Sequence, residues 1–420
     1  MPRLPDDAEV WLVRHARSEA NAEGKWQGRI DGGLDTVGLE QLERLATRAA
    51  RFKFDVVLSS PLQRAVKTAA VFGHPVVEPA LIEIDLGRWD GLTTAELLHA
   101  HRTDLESFGR GEEVRFGTTG ETPSEIAARI YSVVDRLFER LQPGQRAVAV
   151  SHGAALDAIT HRLFGRDRGG RRLGGLSDNT GITRLVRRFD RIRAASFNDT
   201  GHLGNRPPAV RSALESERPA LVLVRHGQTM ANVEGRWQGQ SDWGLDQVGL
   251  GQVAALADWY GRPDRVVSSP LGRALETARV LSDAPEVHAG LAELGFGPWE
   301  GLTTDEVRAG FAQLFDDIFL RGQDLPRGVS GESWSQLTER IRTTIASISP
   351  EPGKLTAAVT HGAAIRSYLA DLSGGGWATA GSLETPANAS VTHLVMGERG
   401  PLIVDFSSAV HLETIPIGKP

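Results

Sequence analysis

Histidine and arginine residues recur in the same order in each half of the 420-residue chain. Arginine stays charged and can bind phosphate through two parallel hydrogen bonds, so two arginines around one point suggest a dianionic ligand. A neutral histidine can attack phosphorus, and a second can donate hydrogen bonds to the remaining oxygens as charge shifts. These residue types therefore indicate phosphoryl chemistry. The set comprises Arg14, His15, Arg64 and His152 in the first half and Arg225, His226, Arg273 and His361 in the second.

A carboxylic acid is also required, because an alkoxide leaves phosphorus readily only when it receives a proton. Glu83 and Glu293 occupy matching places in the two halves, 210 residues apart (293 − 83). Asp85 is the alternative in the first half, but its counterpart in the second half is Gly295. A role shared by both halves favours the two glutamates as proton donors.

An asparagine follows the first histidine by six residues in both halves, as Asn21 and as Asn232. An amide side chain at this place could donate a hydrogen bond to phosphate, or it could shape the loop. The sequence leaves both alternatives open, and we include the two residues among the candidate phosphate ligands.

The two sets of residues belong to an internal repeat that spans the chain. The offset between counterparts is 211 residues at the first histidine (226 − 15) and 209 at the last (361 − 152), so whole domains are repeated. The segment between the copies contains glycines, prolines and a charged run, which is typical of a linker. We predict a first domain over residues 1–198, a linker over 199–218 and a second domain over 219–420.

Strands and helices are predicted to alternate within each copy. Short apolar runs such as Val10–Val13 and Leu221–Val224 predict buried strands, and segments with helical spacing of leucine, alanine and valine follow them. This alternation predicts an α/β fold with helices on both faces of a sheet. Ligands bind beyond the carboxyl ends of the strands in such sheets, which is where the candidate residues lie. Ser60 and Ser269 are predicted to cap the next helix, with the following proline as its first residue.

Composition limits the other functions open to the chain. There are 53 acidic and 47 basic residues, and a balance so near neutrality argues against a nucleic-acid or membrane partner. Cysteine is absent, which excludes disulfides, thiolate metal sites and a cysteine nucleophile. Carboxylates form no metal-binding pattern, so we expect neither a metal ion nor a cofactor. Acidic residues near the start and the lack of a long apolar run favour a cytoplasmic protein, whose oligomeric state is left open.

The ordered motifs resemble those of the histidine phosphatase superfamily, in its phosphoglycerate mutase-like branch. The resemblance covers nearly the whole chain outside the linker. The first copy differs at one place, since Ala16 stands where the family has the glycine that follows the histidine. The second copy carries every motif: Arg225-His226-Gly227, the segment Ser268–Ala278, Glu293 with Gly297-Pro-Trp-Glu-Gly301, and Thr360-His361-Gly362.

The resemblance implies two tandem domains, each built on a largely parallel sheet with helices on both faces. It also implies hydrolysis of a phosphomonoester without a metal, through a phosphohistidine intermediate. His15 or His226 would be phosphorylated, and Glu83 or Glu293 would protonate the leaving oxygen and then activate water. The phosphoryl group would be held by Arg14, Arg64 and His152 in the first copy and by Arg225, Arg273 and His361 in the second.

Two alternative functions stay open beside hydrolysis of a small sugar, nucleotide or acid phosphate. Phosphoglycerate mutase-type transfer would need a larger binding insertion, whereas the lid segments 94–120 and 304–331 are short, so hydrolysis is favoured. Alternatively the first copy only binds a phosphorylated ligand, because the methyl group of Ala16 could narrow the pocket or require a backbone angle suited to glycine. Every charged candidate survives in the first copy, so we expect two active sites.

Overall fold

The computed structural model describes residues 7–413 except for residues 111, 166–173, 176, 189–190, 349 and 399. The chain divides into two compact units, and the boundary along the sequence falls between Gly204 and Asn205. Each unit contains one six-stranded sheet. The predicted α/β fold in two tandem domains is confirmed.

The first sheet has the strand order β3-β2-β4-β1-β5-β6. Its first four strands run parallel, and β5 and β6 are antiparallel at the other edge. The central pair, β1 and β4, ends with Arg14 beside Ser151. The strands are β1 (Glu9–Arg14), β2 (Val56–Ser59), β3 (Val76–Val77), β4 (Arg146–Ser151), β5 (Ile182–Arg188) and β6 (Arg191–Asp199).

Helices cover both faces of this sheet, because alternate residues of β1 point to opposite sides. Trp11 and Val13 pack with α2 and α3, and α6 and α7 contact β1 from the other side, where Val10 and Leu12 are buried. Thr122 is the N-cap residue of α6 and forms a capping box with Glu125. The helices are α1 (Glu19–Ala22), α2 (Thr36–Ala49), α3 (Gln63–Ala69), α4 (Thr94–Ala100), α5 (Arg102–Gly109), α6 (Pro123–Arg140) and α7 (Gly153–Phe164).

The segment 199–218, predicted as a linker, carries a helix of the second unit. Asp199 still belongs to β6, whereas α8 (Pro208–Glu215) begins with a proline in its first turn. Val210 and Ala213 on this helix are fully buried in the core of the second unit. The structure differs from the predicted linker for two reasons. Proline is typical of turns but is also tolerated in the first turn of a helix, and this short helix has an apolar face that the core can bury.

The second sheet repeats the first, with the strand order β12-β11-β7-β10-β8-β9. Strands β7, β10, β8 and β9 run parallel, and β11 and β12 are antiparallel to their neighbours. The central pair ends with Arg225 beside Thr360. The strands are β7 (Ala220–Arg225), β8 (Arg265–Ser268), β9 (Glu286–Val287), β10 (Leu355–Thr360), β11 (Val391–Gly397) and β12 (Gly400–Ile403).

Helices again lie on both faces of the second sheet. Val222 and Val224 pack with α8, α10 and α11, whereas α15 contacts β7 from the other face. The remaining helices are α9 (Met230–Val233), α10 (Gln247–Tyr260), α11 (Gly272–Arg279), α12 (Thr304–Gly310), α13 (Ala312–Phe319), α14 (Trp334–Ile348), α15 (Gly362–Leu372) and α16 (Gly376–Ala380). Within the described ranges, none of the helices is long and apolar enough to cross a membrane.

The lid segments fold as pairs of short helices that pack on a buried tryptophan. In the second unit, Phe311 and Phe319 of the lid lie against Trp299 with ring centroids 6.0 and 6.4 Å away. In the first unit, Phe116 contacts Trp89 at 5.4 Å. The lid aromatics therefore serve mainly to pack the lids.

Candidate active site

Parallel pairing brings the two histidines of each half together. Because β1 and β4 are neighbours that run in the same direction, the residues that follow them share one edge of the sheet. The rings of His15 and His152 are 5.0 Å apart between centroids, and those of His226 and His361 are 5.1 Å apart. The structure thus places each predicted pair of histidines side by side at the strand ends.

The first histidine of each pair is held in one tautomer. Nδ1 of His15 lies 2.7 Å from the carbonyl oxygen of Ala16, and a carbonyl only accepts, so the ring proton is on Nδ1 and Nε2 keeps its lone pair. Nδ1 of His226 makes the same 2.7 Å bond to the carbonyl of Gly227. Burial, with the charges of nearby arginines, holds the pKa of both rings well below the ordinary value. Both rings are therefore neutral at pH 7, as nucleophilic attack requires.

The two arginines of each half are fixed by backbone carbonyls. In the first half, Arg14 donates to the carbonyl of Ser177 at 2.6 Å. Arg64 donates to the carbonyls of Gly28 and Ile30, each at 2.8 Å. Burial lowers the pKa of both side chains, but an arginine pKa starts so high that each remains charged at neutral pH.

The second half holds its arginines in the same way. Arg225 donates to the carbonyl of Pro386 at 2.5 Å, and Arg273 donates to the carbonyls of Gly239 and Ser241 at 2.7 and 2.9 Å. Burial lowers the pKa of Arg225 to about 10, so this side chain also stays charged. The guanidinium groups are thus oriented before any ligand arrives.

Among the candidate residues of each half, three buried nitrogen atoms have no hydrogen-bond partner in the described part of the chain. A buried donor without a partner is costly, and native structures contain few of them. Finding the same three in both halves indicates a site built for an anion with several oxygens. They are Arg14 Nε, Arg64 Nε and His152 Nδ1 in the first half, and Arg225 Nε, Arg273 Nε and His361 Nδ1 in the second.

The second histidine of each pair is bonded to a serine that was predicted as a helix cap. Nε2 of His152 lies 2.6 Å from Oγ of Ser60, and Nε2 of His361 lies 2.7 Å from Oγ of Ser269. Helices α3 and α11 begin two residues beyond the prolines, and their N-cap residues make no side-chain cap. The capping prediction was wrong because the helices begin later than the serines, with Leu62 and Leu271 as their N-cap residues. Each hydroxyl accepts the amide hydrogen of that leucine, at 3.4 and 3.3 Å, and is bonded to a histidine from a distant strand end.

Each predicted acid lies at the start of the helix that follows the second histidine. Glu83 accepts hydrogen bonds from the backbone amides of Ile84, Ala154 and Ala155 at 2.9, 3.2 and 2.9 Å. Glu293 accepts the corresponding three at 2.9, 3.1 and 3.2 Å. Burial raises the pKa of Glu83, although the three amides oppose this shift. A carboxyl group with a raised pKa can hold a proton for transfer.

Asn21 and Asn232 lie in the capping boxes of α1 and α9. Their Oδ1 atoms accept hydrogen bonds from Asn179 and Asn388, at 3.1 and 3.0 Å. Asn179 also donates to the carbonyl of His15 at 2.9 Å, and Asn388 does so to that of His226 at 3.1 Å. These contacts shape the loop that follows the first histidine of each half, and a contact of Asn21 and Asn232 with phosphate stays a prediction.

Asn179 and Asn388 are not among the site residues predicted from the sequence. Both open the pattern Asn-x-x-Ile/Val-Thr and lie 209 residues apart (388 − 179), the same offset as the last histidines. The repeat could therefore have found them. A second pair was missed as well, Thr68 and Thr277, whose Oγ1 atoms accept the amide hydrogens of Ala16 and Gly227 at 3.0 Å.

A third missed pair supports the acid. Arg129 donates to the carbonyls of Ala80 and Ile82 at 2.7 and 2.6 Å and is paired with Glu121 at 2.9 Å. Arg340 makes equivalent contacts beside Glu293. Arg129 and Arg340 lie 211 residues apart (340 − 129), so the repeat could have marked them as well. Their acceptors are backbone carbonyls, which residue types do not reveal.

The counterpart of Ala16 in the second half shows what a methyl group at this position would contact. At the counterpart, Gly227, an added Cβ would lie 2.9 Å from both the carbonyl oxygen of Gly249 and Cγ1 of Val253, on helix α10. Ala16 is fully buried, and its φ is not in the left-handed region. The first half has Leu42 where the second has the β-branched Val253. The departure at Ala16 therefore changes packing under the loop and leaves the charged groups in place.

No metal-binding group of three or more histidine, aspartate or glutamate side chains occurs in the described part of the chain. The anion site of each half is built instead from the guanidinium and imidazole nitrogens. These groups can bind a phosphoryl group, and the lone pair on Nε2 of the first histidine can attack it.

The family model for the histidine phosphatase superfamily (branch 1) matches residues 10–200 and 221–408. A metal-independent phosphoserine phosphatase from Arabidopsis thaliana is 33% identical over 48% of this chain and 87% of its own length. A putative phosphoserine phosphatase from Hydrogenobacter thermophilus is 32% identical over 46% of this chain and 96% of its own. Among solved structures, a mycobacterial glucosyl-3-phosphoglycerate phosphatase is 30% identical with a TM-score of 0.40, covering 45% of this chain and 99% of that one.

Proposed function

The chain belongs to the histidine phosphatase superfamily, branch 1, in both halves, and on that premise we propose that each half hydrolyses a phosphomonoester through a phosphohistidine. The substrate is a small phosphorylated metabolite, as the names of the relatives suggest: they include phosphoserine and glucosyl-3-phosphoglycerate phosphatases. The residues with direct roles are His15, Arg14, Arg64, His152 and Glu83 in the first half and His226, Arg225, Arg273, His361 and Glu293 in the second.

The first step transfers the phosphoryl group to the enzyme. Nε2 of His15 attacks phosphorus with its lone pair while the bond between phosphorus and the ester oxygen breaks. Glu83 gives its proton to the departing oxygen, so an alcohol leaves. The raised pKa of Glu83 favours the protonated form that this step needs.

The second step returns the enzyme to its starting state. Water attacks the phosphorus of phosphohistidine, the carboxylate of Glu83 takes up a proton from that water, and the nitrogen–phosphorus bond breaks to release inorganic phosphate. Arg14, Arg64 and His152 donate hydrogen bonds to the non-bridging oxygens in both steps, where charge develops. Because these donors are already oriented by the protein, little reorganisation is needed during the reaction.

The unpartnered donors are the observation that carries this proposal. Two guanidinium Nε atoms and one imidazole Nδ1 are buried without partners around a neutral histidine, and the arrangement is the same in both halves. A site that only bound a phosphorylated ligand would need no proton donor, whereas Glu83 and Glu293 are held in equivalent contacts. We therefore propose that both halves are active, including the first half, which carries Ala16.

Hydrolysis is preferred to mutase chemistry because the lid segments are short and packed on tryptophan, with no added domain between the motifs. The proposal requires no cofactor, and its partners are small phosphorylated molecules. A cytoplasmic location is part of the proposal, supported by the absence of cysteine from the sequence.

The test is hydrolysis of p-nitrophenyl phosphate in the presence of a chelator. We expect turnover unaffected by the chelator and blocked by vanadate, a mimic of pentacoordinate phosphorus. His15→Ala and His226→Ala should each retain part of the activity, and the double variant should retain none. Rapid trapping followed by mass spectrometry at neutral pH should find phosphate on both histidines. Full activity in the double variant would overturn the assignment of the nucleophiles.

A further inference from the structure

The surroundings of the acid differ between the two halves at a pair of matching positions. In the first half they are Arg29 and Asp85, and in the second half they are Gln240 and Gly295. Arg29 lies 3.0 Å from the carboxylate of Asp85 and 3.7 Å from that of Glu121. These ion pairs join the turn that holds Arg64 to the loop that carries the acid.

In the second half the same place is a cavity of about 460 Å³. We name it the Gln240 cavity, lined by Gln240, Gly295, Glu300, Ser330, Glu332 and Gln336. Gln240 lies between the two residues whose carbonyls hold Arg273, and its Nε2 donates to the carbonyl of Glu293 at 3.3 Å. Gln240 therefore connects the wall of the cavity with the turn that orients Arg273 and with the backbone of Glu293.

The glycine at position 295 keeps this cavity open. A Cβ atom there would lie 3.4 Å from Nε2 of Gln240 and 3.6 Å from Cγ of Glu332, which are ordinary contact distances. A longer side chain would therefore enter the cavity without displacing the backbone. The first half has that side chain, Asp85, paired with Arg29.

The walls of the Gln240 cavity carry two carboxylates, whose hydrogen bonds are made within the protein. Glu332 is paired with Arg340 through two contacts of 2.7 and 2.9 Å. Glu300 accepts the backbone amide hydrogens of Gln240 and Ser241 at 2.9 and 2.8 Å. None of the residues that line the cavity is lysine or arginine. The side-chain amides and a hydroxyl remain free to contact a ligand, and these groups can bind the hydroxyl groups of a substrate. A substrate with a second anionic group besides its phosphate would find no counter-ion in this cavity.

We propose that the two halves act on different phosphoesters, and that the Gln240 cavity binds the organic part of the second half's substrate, a neutral group rich in hydroxyls such as a sugar. In the first half the Arg29–Asp85 pair occupies this space and excludes such a group. The proposal rests on the proposed function, because it assumes that both halves hydrolyse phosphomonoesters.

The experiment isolates each half. His226→Ala leaves the first half active, here called the first-half enzyme, and His15→Ala leaves the second-half enzyme. For each, kcat/KM is measured on a hexose phosphate, on a phosphorylated carboxylic acid and on p-nitrophenyl phosphate. The specificity ratio is kcat/KM on hexose phosphate divided by that on p-nitrophenyl phosphate. We expect this ratio to be about tenfold or more higher in the second-half enzyme, since two hydrogen bonds to hydroxyls are worth about that factor.

Exchanging the pair tests the cavity itself. Gln240→Arg with Gly295→Asp in the second-half enzyme should lower its specificity ratio about tenfold. The reverse exchange, Arg29→Gln with Asp85→Gly in the first-half enzyme, should raise the specificity ratio. It provides an independent test if the first exchange destabilises the fold. The matched control is Gly251→Asp in the second-half enzyme, because Gly251 is exposed on α10 with open space around it. This control should leave the ratio unchanged.

Three outcomes would overturn the proposal. Equal ratios in the two single-half enzymes would show that the halves share a substrate. Exchanges that leave both ratios unchanged would show that the cavity does not contact the substrate. A preference of the second-half enzyme for the phosphorylated acid would reject a neutral ligand. Failure of the proposed function gives a different result, because then neither single-half enzyme hydrolyses p-nitrophenyl phosphate.

Discussion

Removing the hydroxyl of Ser60 tests how the second histidine is prepared for its task. Ser60→Ala deletes the partner that lies 2.6 Å from Nε2 of His152. Burial holds the pKa of His152 well below its ordinary value, so the ring is neutral and carries one proton. The Ser60 hydroxyl already accepts the amide hydrogen of Leu62 at 3.4 Å, so we infer that its own proton goes to Nε2. This places the ring proton on Nδ1, the buried atom without a partner. The serine thus selects the tautomer that can donate to a phosphoryl oxygen.

The size of the effect follows from the hydrogen bond that Nδ1 of His152 donates to the phosphoryl group in the transition state. Without the hydroxyl the ring can carry its proton on Nε2, and Nδ1 then turns a lone pair toward the phosphoryl oxygen. Losing a hydrogen bond to a charged group costs about 1.5–3 kcal/mol, which corresponds to a loss of about 10- to 150-fold in kcat/KM. We expect a loss within that range from Ser60→Ala in the first-half enzyme.

The assay is kcat/KM on p-nitrophenyl phosphate, together with the inhibition constant of vanadate, which should weaken in parallel. Ser59→Ala is the matched control, since Ser59 is equally buried and its hydroxyl donates to the carbonyl of Ser60 at 2.8 Å. The reasoning is refuted if Ser60→Ala stays within about twofold of its parent, or if Ser59→Ala loses as much.

Three further predictions concern the first-half enzyme. Glu83→Gln should slow alkyl phosphates by about 100-fold or more and p-nitrophenyl phosphate far less, because a good leaving group needs no proton; equal losses would reject the acid role. The pH profile of alkyl phosphate hydrolysis should have two limbs. The rate should fall at high pH as Glu83 loses its proton, at a pH above the ordinary glutamate pKa because burial raises the pKa of Glu83. The rate should fall at low pH as His15 gains a proton, at a pH below the ordinary histidine pKa because burial lowers the pKa of His15. Gly153→Ala places a Cβ 3.3 Å from Cζ of Arg14. This tight contact should shift the guanidinium group and lower kcat/KM about three- to tenfold. Ala16→Gly, measured in parallel as the control, should change kcat/KM by less than about twofold.

The chemistry of the site could be predicted from the sequence because it depends on residue types in a fixed order. Two histidines, two arginines and a glutamate occur in both copies with nearly constant offsets, which chance does not produce. The alternation of apolar strands and helices then placed them at one edge of a sheet, since parallel strands bring residues such as Arg14 and Ser151 side by side. The α/β fold and the two tandem domains followed from the same periodicity.

The tertiary structure decided everything that depends on contacts between distant segments. Ser60 and His152 are 92 residues apart, and no local pattern assigns that hydroxyl to a ring rather than to a helix cap. The segment around Pro208 is a turn by its composition and a helix only because a core is present to cover its apolar face. The Gln240 cavity exists because one missing side chain leaves space between two loops. Residue identity is local information, whereas tautomers, backbone anchors and cavities arise from how side chains far apart in the chain fill the same volume.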